Sequence, residues 1–162
     1  MRRTDREITA TEEILAIIDR CKVCRLGLVD ADQPYVVPLN YGYSHNGGAL
    51  TLYFHSAREG RKIDIISRNN KACFEIDCDH RLVEGERACD YGFIYSSVIG
   101  FGTVEFIENN DEKIIALNYL MKHQTGMDIH HDFGDMLARV AVYKLSVSEF
   151  TGKRKPLPDK PP

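Results

Sequence analysis

Short segments of alternating apolar and polar residues, separated by turn dipeptides, limit most strongly what this chain can fold into. The first such segments are predicted strands at 23–29, 34–43 and 50–55. The turn at 45–48 contains an Asn-Gly and a Gly-Gly pair, and both pairs favour tight hairpins. We therefore expect the first three strands to form an antiparallel meander.

Three further strands are predicted at 71–77, 95–106 and 139–147. The second of them contains Gly100 and Gly102. Glycine in the middle of a strand indicates a bulge, a strong bend or the close approach of another group. The pattern thus predicts six strands, one of them locally distorted.

Helices are predicted at the start of the chain and at two later places. A capping box at 9–12 precedes an amphipathic helix that ends near Arg20. A short helix follows at 60–68. A third helix begins at Asn109 and ends at Gly126, which are residue types typical of the two helix ends.

Strands in mainly hairpin order, with helices at the ends and one inserted, predict a small closed β-barrel of the α+β class. A doubly wound sheet would need strand and helix to alternate regularly, which they do not. We interpret the polar stretch 78–92 as a loop. The 162 residues suffice for a single domain, expected at 1–152, and the Pro- and Lys-rich segment 153–162 is expected to be a flexible tail.

Composition narrows the classes of partner. The net charge of −3 argues against nucleic acid, because binding to its phosphate backbone needs a basic surface. No apolar run approaches the length of a membrane span, so no membrane partner is expected. The first residues are charged and lack the apolar segment of a signal peptide. These features predict a cytoplasmic protein.

The five cysteines are expected to be reduced thiols, because their number is odd and no secretion signal precedes them. Cys21 and Cys24 match the C-x-x-C pattern of a redox pair or half a zinc site. A second close pair and a thioredoxin-like βαβ pattern are both missing from the sequence. We therefore expect Cys24 and Cys73 to pack as small apolar residues, and no metal site is predicted.

The segment 55–62 is the best candidate for a ligand site, because it joins a predicted strand to a short helix. Backbone amides at a helix N-terminus and the helix dipole both favour a phosphate. Arg61 adds a planar donor fork and Lys62 a compact charge. A strand-to-helix turn with solvated charges is also common in proteins without a ligand there. The segment by itself leaves both interpretations open.

Catalytic motifs that work without a cofactor are missing from the sequence. Gly100 and Gly102 begin a dinucleotide fingerprint that fails, because the segment lies inside a predicted strand. Ser96 and Ser97 have no recognisable base nearby in sequence. A phosphate receptor without a nucleophile, base or metal fits a protein whose chemistry belongs to a bound cofactor.

Several short pieces of the chain, in their order and spacing, resemble the flavin-binding split-barrel superfamily that includes pyridoxamine 5′-phosphate oxidase. Among its branches the nitroimidazole-resistance (Nim-type) proteins are most similar. The pieces span roughly residues 10 to 153 and lie at 25–28, 34–41, 52–57, 60–62, 96–102 and 149–153.

This resemblance implies a six-stranded antiparallel Greek-key split barrel with flanking helices. It also implies a homodimer with flavin at the interface, FMN being the expected cofactor and FAD the alternative. The residues expected to line the isoalloxazine ring are Pro38, Leu39, Asn40 and Tyr41. Those expected to hold the ribityl phosphate are His55, Ser56, Arg61 and Lys62. Those expected near the flavin, from the same or the partner subunit, are Ser96, Ser97 and Val98.

Some of these positions also have structural interpretations. Leu39 and Val98 are typical core residues, whereas the Asn40 amide should need a hydrogen-bond partner. Tyr41 and His55 are the candidate proton donors. The chain has no tryptophan, is shorter than true pyridoxamine 5′-phosphate oxidases and lacks their arginine-rich C-terminal end. We therefore expect not vitamin B6 oxidation but a Nim-type reductase that passes electrons to a nitro compound or another small acceptor.

Three alternatives stay open. The same barrel could be a flavin carrier or sensor without catalytic activity. It could bind haem, with His55 or His123 as the iron ligand. It could also be a structural dimer with an empty phosphate site. The sequence specifies neither the electron donor nor the acceptor.

Overall fold

The computed structural model describes residues 3–128 and 130–155 and contains three helices and eight strands. The helices are α1 (Thr11–Arg20), α2 (Arg61–Arg68) and α3 (Asn110–Thr125). The strands are β1 (Glu7–Ile8), β2 (Val23–Asp30), β3 (Gln33–Asn40), β4 (Gly42–Asn46), β5 (Ala49–Ala57), β6 (Lys71–Val83), β7 (Gly92–Phe106) and β8 (Val140–Lys155).

All strand pairs are antiparallel, and the sheet has the order β3-β2-β6-β7-β8-β5-β4, with the short β1 beside β8. This is an α+β fold of the split-barrel type. The predicted fold class is confirmed, with eight strands in place of six. The helices pack around the sheet rather than between parallel strands.

The predicted strand at 34–43 is two strands, so both predicted hairpins form but do not make one continuous three-stranded meander. β3 pairs with β2, whereas β4 pairs with β5 at the opposite end of the sheet order. The chain changes direction at Tyr41, whose buried hydroxyl donates to the carbonyls of Ile18 (2.6 Å) and Cys21 (3.0 Å). The alternating pattern continued across the break because the strands on both sides bury alternate residues.

Two strands extend beyond their predicted ends. β6 continues to Val83 through an irregularity between Cys78 and Arg81, where Asp79 has a φ of 63°. Half of the predicted loop at 78–92 is therefore strand. β8 runs to Lys155, three residues into the expected tail, and 156–162 lie outside the described residues. Both extensions are largely exposed and polar, so they lack the alternation that identifies a strand.

The two mid-strand glycines mark close approaches, as predicted. A Cβ at Gly100 would overlap the ring of Phe74, and one at Gly102 would overlap the carbonyl of Ser146. The register of β7 against β8 also shifts between Phe101 and Gly102. A side chain at either glycine would force neighbouring strands apart.

The helix ends differ in how well the sequence predicted them. α1 begins after Ala10 without a side-chain cap, so the predicted capping box does not form. In α3 the Asn109 side chain accepts hydrogen bonds from the Asp111 and Glu112 amides, and Gly126 ends the helix with a φ of 73°. Among the described residues, each helix is too short or too polar to cross a bilayer.

The core has two parts, separated by β8. The larger fills the barrel, and its largest fully buried side chains include Tyr41, Tyr143, Phe54 and Phe74. The smaller lies beneath α3 and contains Ile107, Ala116, Leu117, Leu137 and Val142. Because β8 has apolar neighbours on both faces at 142–143, this part of the strand is held rigidly beside the end of β5.

Candidate phosphate and cofactor site

The segment 55–62 leaves the end of β5 and enters α2 through Gly60, as the sequence predicted. Gly60 has a φ of 127°, a conformation that L side chains rarely adopt, and its carbonyl accepts hydrogen bonds from the Ile63 and Asp64 amides. The amides of Arg61 and Lys62, at the first helical positions, have no carbonyl partner within the helix. This end of α2 therefore presents two donors and the positive end of the helix dipole.

The side chain of Arg61 lies on the β2–β3 hairpin. Its Nε donates to Oδ2 of Asp30 at 3.0 Å, and its guanidinium lies 4.9 Å from the centre of the Tyr35 ring. Arg68, two turns later in α2, donates to the other Asp30 oxygen at 2.9 Å. These contacts place the N-terminus of α2 directly beside β3, the strand expected to line a flavin ring.

His55 and Ser56 lie on opposite faces of β5, because successive side chains of a strand alternate. His55 faces outward opposite Val142 in the register, and although solvent reaches the side chain, partial burial lowers the pKa of its imidazole. Ser56 faces inward, where its hydroxyl donates to the Ala57 carbonyl at 2.9 Å. The two residues expected to share a phosphate thus point in different directions.

Tyr143 is a buried polar residue that the sequence did not single out. Its ring packs on Phe54, and its hydroxyl is buried without a hydrogen-bond partner among the described residues. Burial raises the pKa of Tyr143 to about 12, partly offset by the nearby Ser56 hydroxyl. The barrel therefore has one unsatisfied donor beneath the end of β5. No feature of a lone tyrosine in a predicted strand could have indicated this.

β3 lies at one end of the sheet order, so one of its edges has no strand partner within the described residues. Pro38 is exposed, and Leu39 packs against the barrel core opposite Cys24. Proline on an edge strand blocks the addition of another strand, while the remaining backbone groups stay available to a ligand.

Asn40 and Tyr41 both have internal partners. The Asn40 amide donates to the Lys22 carbonyl at 3.1 Å and to Oε1 of Gln124 at 3.0 Å, which supplies the partner that its polarity required. Burial raises the pKa of Tyr41 well above its ordinary value. With its hydroxyl bonded to two carbonyls inside the core, Tyr41 is not placed to donate a proton to a ligand.

Ser96, Ser97 and Val98 lie on β7, opposite the 76–78 part of β6. They are away from the cradle of the same chain, which consists of Arg61, Lys62 and their backbone amides at the start of α2. Ser96 and Val98 face the interior, with exposed fractions of 1% and 0%, whereas Ser97 is half-buried on the outer face. The hydroxyl of Ser96 is the largest cause of the lowered pKa of Asp79. Within one chain these three residues and α2 do not form a single site.

His123 is enclosed by the fold. Its Nδ1 lies 2.7 Å from the Tyr41 carbonyl, and its Nε2 lies 3.1 Å from the carbonyls of Ile18 and Asp19. Since both ring nitrogens face backbone oxygens, His123 is not available as an iron ligand. Of the two histidines considered as iron ligands in the haem alternative, this leaves His55.

Cys24 is fully buried, as the sequence analysis expected. Cys73 is half-buried, so it is packed less completely than expected. Burial raises the pKa of both the Cys21 and Cys24 thiols. The thiol of Cys78 lies close to that of Cys21. Within residues 3–128 and 130–155, no three His, Cys, Asp or Glu side chains lie close enough to share a metal ion.

The residues at the start of α2 fit a phosphate monoester. The amides of Arg61 and Lys62 and the guanidinium N–H groups that Asp30 does not occupy are available as donors, and Lys62 adds a second positive charge at this end of α2. The adjacent edge of β3 offers backbone donors and acceptors with apolar side chains on either side. Together they can hold a phosphate at one end and a flat ring along the strand.

The fold is thus a split barrel with a candidate anion site beside an edge strand. The chain belongs to the pyridoxamine 5′-phosphate oxidase family, whose model matches residues 10–154. No curated protein sequence matches the chain significantly.

Solved structures with the same fold include a candidate 5-nitroimidazole antibiotic resistance protein from Bacteroides thetaiotaomicron. It is 36% identical, with 91% of this chain and 86% of that chain covered and a TM-score of 0.78. The flavocytochrome Anf3 from Azotobacter vinelandii is 20% identical over 98% of this chain and 73% of its own, with a TM-score of 0.79. An FAD-binding protein from Mesorhizobium loti is 21% identical over 93% of this chain and 98% of its own, with a TM-score of 0.66.

Proposed function

We propose that this chain is a flavin-binding oxidoreductase that acts as a homodimer, with FMN as its cofactor and a nitroimidazole-like small molecule as its electron acceptor. The observation that carries the proposal is the contact of Arg61 with Asp30 and Tyr35. This contact joins a phosphate cradle to the edge strand β3 in a chain of this family.

The phosphate end of the proposed site consists of donors that are already positioned. The side chain of Arg61 is 59% exposed, yet Asp30, with an exposed fraction of 22%, fixes its direction. A fixed guanidinium loses less conformational entropy when a phosphate binds than a free one would. FMN is the expected cofactor because the cradle receives a single terminal phosphate.

The ring of the flavin is proposed to lie along β3. Pro38 and the outward backbone groups of the strand provide the contact surface, while Leu39 supports it from the core. Asn40 and Tyr41 contribute through the backbone position that their internal hydrogen bonds fix. A bound flavin supplies the two-electron chemistry, and the chain supplies its binding and orientation.

The proposed dimer buries an exposed apolar patch on the outer face of the sheet. The patch contains Val29, Val36, Ile99 and Phe101, whose exposed fractions are 43%, 62%, 44% and 49%. Monomeric proteins rarely leave such side chains clustered in contact with water. A second copy of the chain is the proposed occupant, and it would bring Ser97 of β7 close to the flavin of its partner.

The acceptor is the least constrained part of the proposal. Its support is the 36% identity with the candidate 5-nitroimidazole resistance protein over most of both chains. Of the two candidate proton donors, Tyr41 has its hydroxyl bonded inside the core, whereas His55 is exposed at the end of β5. His55, with its lowered pKa, is neutral at pH 7 and can still donate a hydrogen bond.

The cofactor is tested by recording the absorbance of freshly purified protein and by titrating flavin-free protein with FMN and FAD. We expect a flavin spectrum and a rise in melting temperature with flavin. Arg61→Ala combined with Lys62→Ala should weaken FMN binding about a hundredfold or more, because two charge-assisted contacts are lost. The matched control combines Arg81→Ala with Lys122→Ala, two exposed cations outside the cradle, and should bind FMN normally.

A colourless protein whose melting temperature responds to neither FMN nor FAD would contradict the proposal. The activity is tested separately, by anaerobic oxidation of NADH or NADPH with a 5-nitroimidazole as acceptor. Flavin binding without turnover of any acceptor would favour the carrier or sensor instead.

A further inference from the structure

A second cavity lies on the other side of α2 from the cradle. It has a volume of about 220 Å³, is lined by α2, the end of β7, the start of α3 and the start of β8, and is open to solvent on one side. Arg61 and Arg68 face Asp30, whereas Ile63 and Ser67 line this cavity. At 3.6 residues per turn, Ile63 lies about 200° around the helix from Arg61. The cavity is therefore separate from the proposed phosphate site.

Lys113 makes the cavity chemically unusual. It lies in the first turn of α3, lines the cavity and has an exposed fraction of only 7%. Among the hydrogen bonds and ion pairs within 3–128 and 130–155, none involves its ammonium group. The ammonium itself is not sealed from solvent, and the dipole at this end of α3 adds to the positive potential around it.

Arg58 brings a second cation to the same cavity. Its guanidinium donates a hydrogen bond of 2.9 Å to the Ala138 carbonyl, and the side chain lines the cavity. Glu108 also lines the cavity and is not paired with either cation by any described ion pair. Two cations and one carboxylate leave a single net positive charge, which suits a monoanion better than a doubly charged phosphate.

The rest of the wall is largely apolar, formed by Ile63, Phe106, Ile107, Val140 and Val142. For comparison, a dry cavity of about 150 Å³ holds a benzene ring. The present cavity thus has room for a ring with a small charged group.

We propose that this cavity binds a small organic monocarboxylate, with its carboxylate between Arg58 and Lys113 and its apolar body against the surrounding wall. The site is independent of the flavin and of the oxidoreductase activity proposed above. A bound carboxylate would pair with the ammonium of Lys113.

The proposal is tested by calorimetric titration of the full-length protein with benzoate, with benzyl alcohol as the neutral analogue and with inorganic phosphate. Saturable binding of benzoate is expected, with weaker binding of the other two. Lys113→Met should weaken benzoate binding at least about tenfold, because one charge-assisted contact is lost. Lys122→Met, an exposed position on the same helix, is the matched control and should bind benzoate like the wild type.

Lys113→Met keeps an unbranched side chain of similar length, so the wall of the cavity should stay intact. Should that variant fail to fold, Arg58→Gln tests the same site from an exposed position. Absence of benzoate binding to the wild type, or unchanged binding in both variants, would overturn the proposal. If benzyl alcohol or phosphate bound as tightly as benzoate, the proposal that the ligand is a monocarboxylate would be overturned.

The double variant Arg61→Ala with Lys62→Ala distinguishes this site from the cradle. It should lose FMN and keep benzoate binding. Loss of benzoate binding in that variant would show that benzoate binds in the cradle and would overturn the proposal of a separate site. This conclusion does not depend on whether the protein binds flavin.

Discussion

Asp30 is the residue that gives the candidate cradle its shape. It holds Arg61 and Arg68 at 3.0 and 2.9 Å on the two oxygens of one carboxylate. Exposed ion pairs of this kind contribute at most about 1 kcal/mol to stability. Their main effect here is to hold the two guanidinium groups in place. The sequence predicted Arg61 and Lys62 from their place before a helix. It could not predict Asp30, because no local pattern relates a hairpin residue to a helix 31 positions later.

Flavin-free protein should lose stability as the pH falls below about 6.5, through His55. The unfolded imidazole takes up a proton near pH ~6.5, whereas the pKa of the folded one is lowered, so the unfolded state binds more protons in this range. His55→Gln should therefore show a shallower decline in the free energy of unfolding between about pH 7.5 and pH 5. Urea unfolding at a series of pH values measures it.

The neighbouring change Ser56→Ala is the control, since it introduces and removes no titrating group and should keep the wild-type pH slope. An identical slope in His55→Gln and the wild type would contradict the assignment to His55.

At the scale of elements, the sequence predicted best where local chemistry decides the structure. Asn109 and Gly126 set the ends of α3 through hydrogen bonds and backbone conformation that depend on neighbouring residues alone. The break at Tyr41 was missed because it depends on carbonyls of α1 that lie about 20 positions away. The exposed ends of β6 and β8 were missed because their strand conformation comes from pairing with β7, without burial.

Gly42 is the element-scale position most sensitive to substitution. A Cβ there would overlap the backbone of Tyr119 and Leu120, because β4 and α3 pack closely at this point. Gly42→Ala should lower the free energy of unfolding by about 1–3 kcal/mol, as α3 must shift to make room. The urea midpoint measures this change.

Gly27→Ala is the matched control, because its added Cβ would meet the Cys73 carbonyl at 3.4 Å and the Cys73 Cβ at 3.8 Å, which the strands can accommodate. Equal losses of stability in the two variants would show that the contact with α3 is not the cause.

For the whole molecule, the order of the strands explains why the candidate site was only partly predictable. The cradle and β3 meet because β2 and β3 form a hairpin whose turn lies beside α2, a proximity that the sequence implied only through family resemblance. Ser96, Ser97 and Val98 lie elsewhere in the chain, so their predicted place near a flavin requires a second subunit. Measuring the oligomeric state therefore tests whether these residues can belong to the predicted flavin site.

Phe101→Lys should convert the proposed dimer to a monomer, because it places a charge in the middle of the exposed apolar patch. Phe101 is 49% exposed in the single chain, so the substitution should leave the fold intact. Sedimentation velocity measures the change in mass, and the absorbance of bound flavin should fall with it if the partner completes the site.

Ile115→Lys changes a similarly exposed apolar residue, 55% exposed, on the outer side of α3 and serves as the control. It should leave the sedimentation coefficient unchanged. A Phe101→Lys protein that sediments like the wild type would remove this face as the interface.

β8 hydrogen-bonds to β5 from Val140 to Ser146, to β7 from Tyr143 to Lys155, and to β1 at Gly152 and Lys153. The hairpin of β4 and β5 reaches the other strands of the sheet through β8 alone, in the pairings of the described residues. During synthesis on the ribosome, the β4–β5 hairpin therefore cannot join the other strands of the barrel until β8 has emerged. A polypeptide that ends within this strand would have two unpaired parts of the sheet, and we expect it to be degraded by proteases rather than to fold.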